Sequence, residues 1–136
     1  MNDDAYFIRF HHLEHGDHIV SLNVRELDND FLLSCKLPVS EELITAQASD
    51  CFAALQGIRR KTEGRGWSIH CRGARRNVWP SAMSRDMGGG FKAYVMTIGQ
   101  PATELVDILD VDESPDGSTV AEQESFAKSW FDSLGN

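Results

Sequence analysis

The chain has 136 residues, of which 41% are hydrophobic and 25% are charged, and its formal net charge is −8. This length fits one globular domain over residues 1–136 that needs neither disulfides nor a structural metal to fold, and we expect no cofactor. The negative charge opposes generic binding to nucleic acid or anionic membranes, and no apolar run reaches the roughly 20 residues of a membrane helix. Because Met1–Asp4 is acidic and lacks the apolar core of a secretory signal, we expect a cytoplasmic protein.

The first third of the chain predicts an antiparallel meander. Residues 5–13 are rich in aromatic and branched side chains, and residues 18–25 alternate with period two. A third apolar run covers residues 31–37. Short polar turns separate the three runs, which is typical of consecutive antiparallel strands.

A long amphipathic helix is predicted next. Ser40 is a suitable N-cap, and Glu41 and Glu42 would follow in the first turn, where the helix dipole favours carboxylates. The basic triplet Arg59–Lys61 would lie in the last turn, before Gly64 or Gly66. Apolar residues recur at gaps of three and four at Ile44, Ala48, Cys51, Phe52, Leu55 and Ile58.

The second half of the chain predicts further strands at 67–72, 91–99 and 104–111. Between the first two, Pro80 at a first helical position, with Met83 and Met87 four apart, indicates a short helix. Thr119 and Glu122 have the spacing of a capping box and predict a final helix. Its expected apolar face is Phe126, Ala127, Trp130, Phe131 and Leu134.

This order of elements predicts an α+β fold. We expect an antiparallel or mixed sheet of about five to six strands, packed by two amphipathic helices as a single pair of layers.

No metal site or reactive thiol is expected. Cys35, Cys51 and Cys71 have no C-x-x-C spacing and are predicted to be reduced and buried. A histidine-rich group at residues 11–18 straddles a predicted hairpin tip, so its side chains would not converge on one ion. The calcium-like run that starts at Asp112 has Gln123 where the loop requires a carboxylate.

The charges are distributed unevenly along the chain. Residues 59–92 hold nine basic and two acidic side chains, whereas residues 1–58 hold three basic and ten acidic ones. Residues 93–136 hold one basic and nine acidic side chains. Either the acidic ends fold over the basic middle and pair with it, or the segments form separate charged surfaces.

The basic middle contains the main alternative site. The arginines and glycines of residues 72–90 could hold a phosphate or a nucleotide, or serve a small enzyme, and Trp79 could anchor a protein partner. However, the glycines follow a predicted helix and precede a strand, which favours a helix C-cap. Because no catalytic motif is present, we do not expect an enzyme. The residues of this alternative site are Arg72, Arg75, Arg76, Trp79, Arg85, Gly88, Gly89 and Gly90.

The same stretch carries a family resemblance. Residues 73–94 read GARRNVWPSAMSRDMGGGFKAY and fit the pattern G-A-R-x-x-x-x-P-S-x-M-x-x-x-M-x-x-G-x-x-A-Y. Over roughly residues 67–110 the chain resembles small bacterial immunity proteins associated with polymorphic toxins of the Rhs and type VI secretion kind.

That resemblance implies a binding function without catalysis. The expected partner is a cognate toxin domain, whose active site the immunity protein would cover, with no nucleic acid or membrane partner. Carboxylates complement the basic cleft that is common in toxins acting on nucleic acid. The residues predicted to contact the toxin are Asp107, Asp110, Asp112, Glu113 and Asp116.

Overall fold

Two antiparallel sheets and three α-helices make up the fold in a computed structural model that describes residues 3–114 and 117–135. The elements are β1 (Asp3–His12), β2 (Gly16–Glu26), β3 (Phe31–Lys36), β4 (Leu43–Ala48), α1 (Cys51–Glu63), β5 (Trp67–His70), a 3-10 turn (Arg72–Ala74), β6 (Val78–Trp79), α2 (Ala82–Gly88), β7 (Lys92–Val95), β8 (Leu105–Asp107) and α3 (Val120–Leu134). The predicted α+β class is confirmed, but the strands divide between two sheets instead of forming one.

The larger sheet has the strand order β4-β3-β2-β1-β5. The hairpin of β1 and β2 pairs from Asp3 opposite Arg25 to His12 opposite Gly16. Alternation along β1 turns Ile8 and Phe10 inward, where both are fully buried. The three predicted strands of the meander are therefore confirmed, each with small shifts at its ends.

The predicted start of the long helix was wrong. Residues 43–48 form β4, which pairs with β3 over six residues, from Phe31 opposite Ala48 to Lys36 opposite Leu43. Ile44 satisfies a helical spacing to Ala48 and also faces inward as a strand residue, so the apolar pattern fitted both conformations. The segment is a strand because pairing with β3 supplies hydrogen-bond partners for its backbone N–H and C=O groups, and this tertiary contact overrides the helical pattern.

Helix α1 begins at Cys51 and covers the inner face of the larger sheet. The Asp50 carboxylate caps it by accepting a hydrogen bond from the Ala53 amide at 2.8 Å. Phe52, Leu55 and Ile58 are fully buried on the side that faces the strands. This part of the predicted apolar stripe is confirmed.

The smaller sheet has the order β6-β7-β8, and α2 connects its first two strands. Ser81 caps α2 through its hydroxyl, so Pro80 precedes the cap and does not occupy the first helical position as predicted. The strands predicted over 67–72, 91–99 and 104–111 are each shorter than expected, at 4, 4 and 3 residues. The predicted capping box of Thr119 and Glu122 is confirmed at the start of α3.

One buried apolar cluster connects the two sheets. It runs from Phe10 and Leu33 in the larger sheet through Phe52 of α1 to Ala93 and Val106 in the smaller one. Within residues 3–114 and 117–135, no helix combines the length and the apolar character needed to cross a membrane.

Candidate partner-binding surface

Ion pairs join the basic middle of the chain to both acidic flanks. Five of the nine basic residues in segment 59–92 pair with carboxylates that lie outside that segment. The pairs are Arg60–Glu124, Arg65–Glu42, Arg75–Asp112, Arg85–Asp50 and Lys92–Asp107. Of the two arrangements that the sequence left open, the structure therefore has internal pairing, and the remaining exposed charge is predominantly acidic.

Arg59 is buried without a carboxylate partner among the described residues. Only 2% of the residue is exposed, and its guanidinium donates to Gln123 Oε1, the Ala74 carbonyl and the Ser118 carbonyl. Burial lowers the pKa of this guanidinium. Arg59 thus connects α1 by hydrogen bonds to the 3-10 turn, to the segment before α3 and to the first turn of α3.

Asp112 forms the best-defined ion pair with the basic segment. Arg75 Nε and Nη2 donate to its two carboxylate oxygens at 2.8 and 2.7 Å, and the Ser114 amide donates to Oδ1 at 3.1 Å. These hydrogen bonds, above all those from Arg75, lower the pKa of the Asp112 carboxyl. Because its side chain is only 4% exposed, Asp112 orients this loop and has little surface to offer a partner.

The other predicted contact residues have different environments. Asp107 accepts a hydrogen bond from Lys92 Nζ at 2.8 Å, yet its side chain stays 55% exposed. Asp110 and Glu113 are exposed and form no ion pair with the described residues. Asp116 lies outside the described residues. Of the five predicted contact residues, Asp107, Asp110 and Glu113 are therefore exposed among the described residues.

The four arginines of the alternative site do not share one cavity, since Arg75 lines one cavity with Arg76 and another with Arg72, and Arg85 lines a third. Arg85 lies over the rings of Phe52 and Trp79, with Cζ 5.2 and 5.5 Å from their centroids, and pairs with Asp50 at 3.4 Å. Arg75 belongs to the Asp112 loop, and Arg76 lies over Phe126. Arg72 is partly buried, and its Nε has no hydrogen-bond partner among the described residues.

The glycines of the alternative site form the end of α2. Gly88 is the last residue of the helix, and Gly89 follows it as a left-handed C-cap with φ of 69°. The amides of Gly89 and Gly90 both point to the Ser84 carbonyl oxygen. Because those amides are used within the helix end, they are not positioned to cradle a phosphate.

An apolar groove, which no local sequence pattern predicts, lies beside the smaller sheet. Its volume is about 700 Å³. Trp79 pairs with Tyr94 and Tyr94 with Leu105, so these three side chains form a row across one sheet face. Leu105 is 50% exposed at the end of the row. The walls of the groove include Trp79, Pro80, Tyr94, Met96, Trp130, Phe131 and Leu134.

The groove stays open because α3 packs only through its first half. Val120, Gln123 and Ala127 are its buried residues, whereas Phe131 and Leu134 are 54% and 41% exposed. The apolar face predicted for α3 therefore exists, but its last turn faces the groove instead of the core. Of the three tryptophans, Trp67 is buried, and Trp79 and Trp130 are partly exposed in the groove.

The histidines and cysteines do not form a second site. His11 binds Asp17 at 2.6 Å on the strands beside the hairpin tip. Burial raises the pKa of Cys35, Cys51 and Cys71 to about 11, 12 and 11, and the predicted burial of all three thiols is confirmed. Within the described part of the chain, no three His, Cys, Asp or Glu side chains are grouped to hold a metal ion. The rings of three other histidines surround Trp67, namely His12, His15 and His18.

In comparisons with known proteins, the chain matches no protein-family model and no curated protein. The immunity-protein resemblance of residues 67–110 therefore stays a prediction. The case for a function depends on the groove and on the exposed carboxylates within and after β8.

Proposed function

We propose that the protein is an immunity protein that binds a cognate secreted toxin domain in the cytoplasm and neutralises it by covering its active site. The observation that carries this proposal is the partly exposed row Trp79–Tyr94–Leu105, which borders the apolar groove and ends on the strand that carries the exposed Asp107. We name the groove, Asp107, Asp110 and Glu113 together the contact surface.

The side chains of the groove are those that dominate protein interfaces. Tryptophan, tyrosine and arginine are enriched among residues that contribute most to binding energy, and Trp79, Tyr94 and Arg85 all line this groove. Trp79 is held in place by the Phe52 ring, whose centroid lies 5.3 Å away. A rigid aromatic side chain loses little conformational entropy on binding, so it suits a tight complex.

The negative net charge of the protein favours a partner with a basic surface. Internal pairing neutralises much of the basic middle, while Asp110 and Glu113 stay exposed in a chain of net charge −8. Carboxylates at the edge of an interface accelerate the encounter with a basic surface and set its orientation. A toxin that acts on nucleic acid or nucleotides commonly carries such a surface.

Neutralisation by occlusion requires no chemistry from this chain. The apolar row would fill a concave part of the toxin and exclude water, and the carboxylates would meet cations that otherwise bind the toxin's substrate. The inhibitory complex would then contain one copy of each protein.

The test is co-expression with the product of the neighbouring upstream gene, followed by purification through a tag on one partner. We expect a one-to-one complex and loss of toxin activity within it. Failure of the two proteins to form any complex would contradict the proposal.

Charge reversals locate the contact surface. Asp110→Lys should slow association about tenfold at low ionic strength, with a smaller effect at high salt. Glu41→Lys is the matched control. Glu41 is exposed next to β4, whereas the segment that contains Asp110 and Asp112 lies next to β5, at the other edge of the larger sheet. Equal effects of the two substitutions would place the toxin elsewhere on the protein.

A further inference from the structure

The two sheets present four edge strands, and within the described residues an outward-facing carbonyl on each edge of the larger sheet already accepts a hydrogen bond. On β4, Lys61 Nζ donates a hydrogen bond to the Thr45 carbonyl at 2.5 Å. A lysine placed along an edge strand is a common way to prevent pairing with another chain. Next to β5, the Asp112 amide donates to the His70 carbonyl at 3.2 Å, so a further segment of the same chain covers that edge.

The smaller sheet has one blocked edge and one open edge. On β6, Gln123 Nε2 donates to the Val78 carbonyl at 2.9 Å, which brings α3 against that strand. On either side of β8, the Ile108 amide donates to the Phe91 carbonyl, just before β7, at 3.0 Å, and the Glu104 carbonyl accepts from the Val95 amide of β7 at 2.9 Å. These bonds show that the even-numbered residues of this segment direct their backbone groups towards β7.

The backbone groups of Leu105 and Asp107 consequently point away from the sheet. The Asp107 carbonyl accepts the Asp110 amide at 3.2 Å in the turn that follows. The N–H and C=O of Leu105 and the N–H of Asp107 have no hydrogen-bond partner among the described residues. They form an unprotected edge that can accept another strand.

The chemistry around this edge favours a basic strand. The side chain of Asp107 is 55% exposed on the edge strand itself, and Asp110 and Glu113 follow it along the chain. Lysine or arginine side chains of an added strand would complement these carboxylates, whereas a second copy of this acidic edge would repel them. Leu105 offers an adjacent apolar contact that continues into the groove.

We propose that β8 binds an extended basic segment of the toxin by strand addition, with backbone hydrogen bonds to Leu105 and Asp107. This inference rests on the proposed function and specifies how the contact surface is used. The added strand would lengthen the smaller sheet to four strands, and its alternate side chains would meet the apolar row and the carboxylates.

Amide hydrogen exchange tests this arrangement directly. In the complex with the neighbouring gene product, we expect exchange at Leu105 and Asp107 to slow at least tenfold relative to the free protein. Exchange at Thr45, on the lysine-guarded edge of β4, should not change. A complex in which the Leu105 and Asp107 amides stay unprotected would overturn strand addition and leave the proposed function intact.

A proline substitution tests the same point by affinity. Leu105→Pro removes a backbone N–H that the sheet does not use, and Leu105→Ala is the control that shortens the side chain and keeps the N–H. We expect Leu105→Pro to weaken binding about fivefold to tenfold more than Leu105→Ala. If Leu105→Pro does not fold, the exchange measurement on the wild-type chain still tests whether a strand is added to β8.

Two other outcomes also count against the inference. Equal affinities of folded Leu105→Pro and Leu105→Ala would overturn it. Sedimentation of the free chain as a dimer, with both amides already protected, would assign the edge to a second copy of this protein. Failure to form any complex would remove the proposed function and this inference together.

Discussion

The Arg59 guanidinium donates a hydrogen bond to Gln123 Oε1 at 2.5 Å in the interior of the protein. Gln123 is fully buried, and the two hydrogens of its Nε2 are donated to the carbonyls of Gly73, Arg75 and Val78, so two of these carbonyls share one hydrogen. One amide side chain of α3 thus solvates a buried cation and also fixes the backbone between β5 and β6. The position of Trp79, and with it the groove, depends on this arrangement.

Loss of the Gln123 amide should therefore be costly. Gln123→Leu leaves a buried guanidinium with one partner fewer and several buried carbonyls without donors, so we expect the free energy of unfolding to fall by about 3 kcal/mol or more. Urea unfolding measures this change. Arg60→Met is the control, because Arg60 forms an exposed pair with Glu124 and its loss should cost less than about 1 kcal/mol. Similar losses for the two variants would contradict the structural role of Gln123.

Asp112 should make stability depend on pH. Arg75 lowers the pKa of its carboxyl below the ordinary value of 3.8. A carboxyl whose pKa is lower in the folded state adds stability above its unfolded pKa, and this contribution is lost as pH falls through the folded value. We expect Asp112→Asn to cost about 1–3 kcal/mol at neutral pH, with the difference from wild type shrinking as pH falls below 3.8. Unfolding curves across this range, with the exposed Asp110→Asn as control, measure the effect.

Gly90 should tolerate substitution less well than Gly99. Both residues have positive φ, 74° and 80°, so alanine is strained at each by about 1 kcal/mol. At Gly90 an added Cβ would also lie 2.8 Å from Asp50 Oδ1 and 3.1 Å from the Phe52 amide, whereas at Gly99 it meets nothing within 4 Å. Thermal unfolding should show Gly90→Ala to be the less stable variant by at least a further ~1 kcal/mol. Equal stabilities would show that the N-terminus of α1 yields to the added methyl group.

Phosphate and nucleotides should not stabilise the protein. Arg75 and Arg85 are occupied by Asp112 and Asp50, and the amides of Gly89 and Gly90 are used at the end of α2. We expect no change in Tm with inorganic phosphate or a nucleotide panel at millimolar concentration, because a ligand raises Tm only when it binds the folded state. A clear rise in Tm, abolished by Arg75→Ala, would instead favour the anion-binding alternative.

Local sequence signals predicted the elements whose cause is itself local. Alternation in β1 and β2 and the capping box of Thr119 and Glu122 each act within a few residues, and each is present in the structure. The start of α1 could not be predicted in this way, because Ile44 fits a helix and a strand equally. Its conformation depends on pairing with β3, which is a contact between segments that are distant along the chain.

The sequence by itself determined the α+β class, the burial of the three cysteines and the uneven distribution of charge. Only the tertiary structure decided which of those charges pair with one another, since each ion pair of the basic middle joins residues at least 15 positions apart. It also decided that the last turn of α3 lines a groove and that β8 has an open edge. Both features arise from which surfaces other elements leave uncovered, and periodicity within one element cannot specify that.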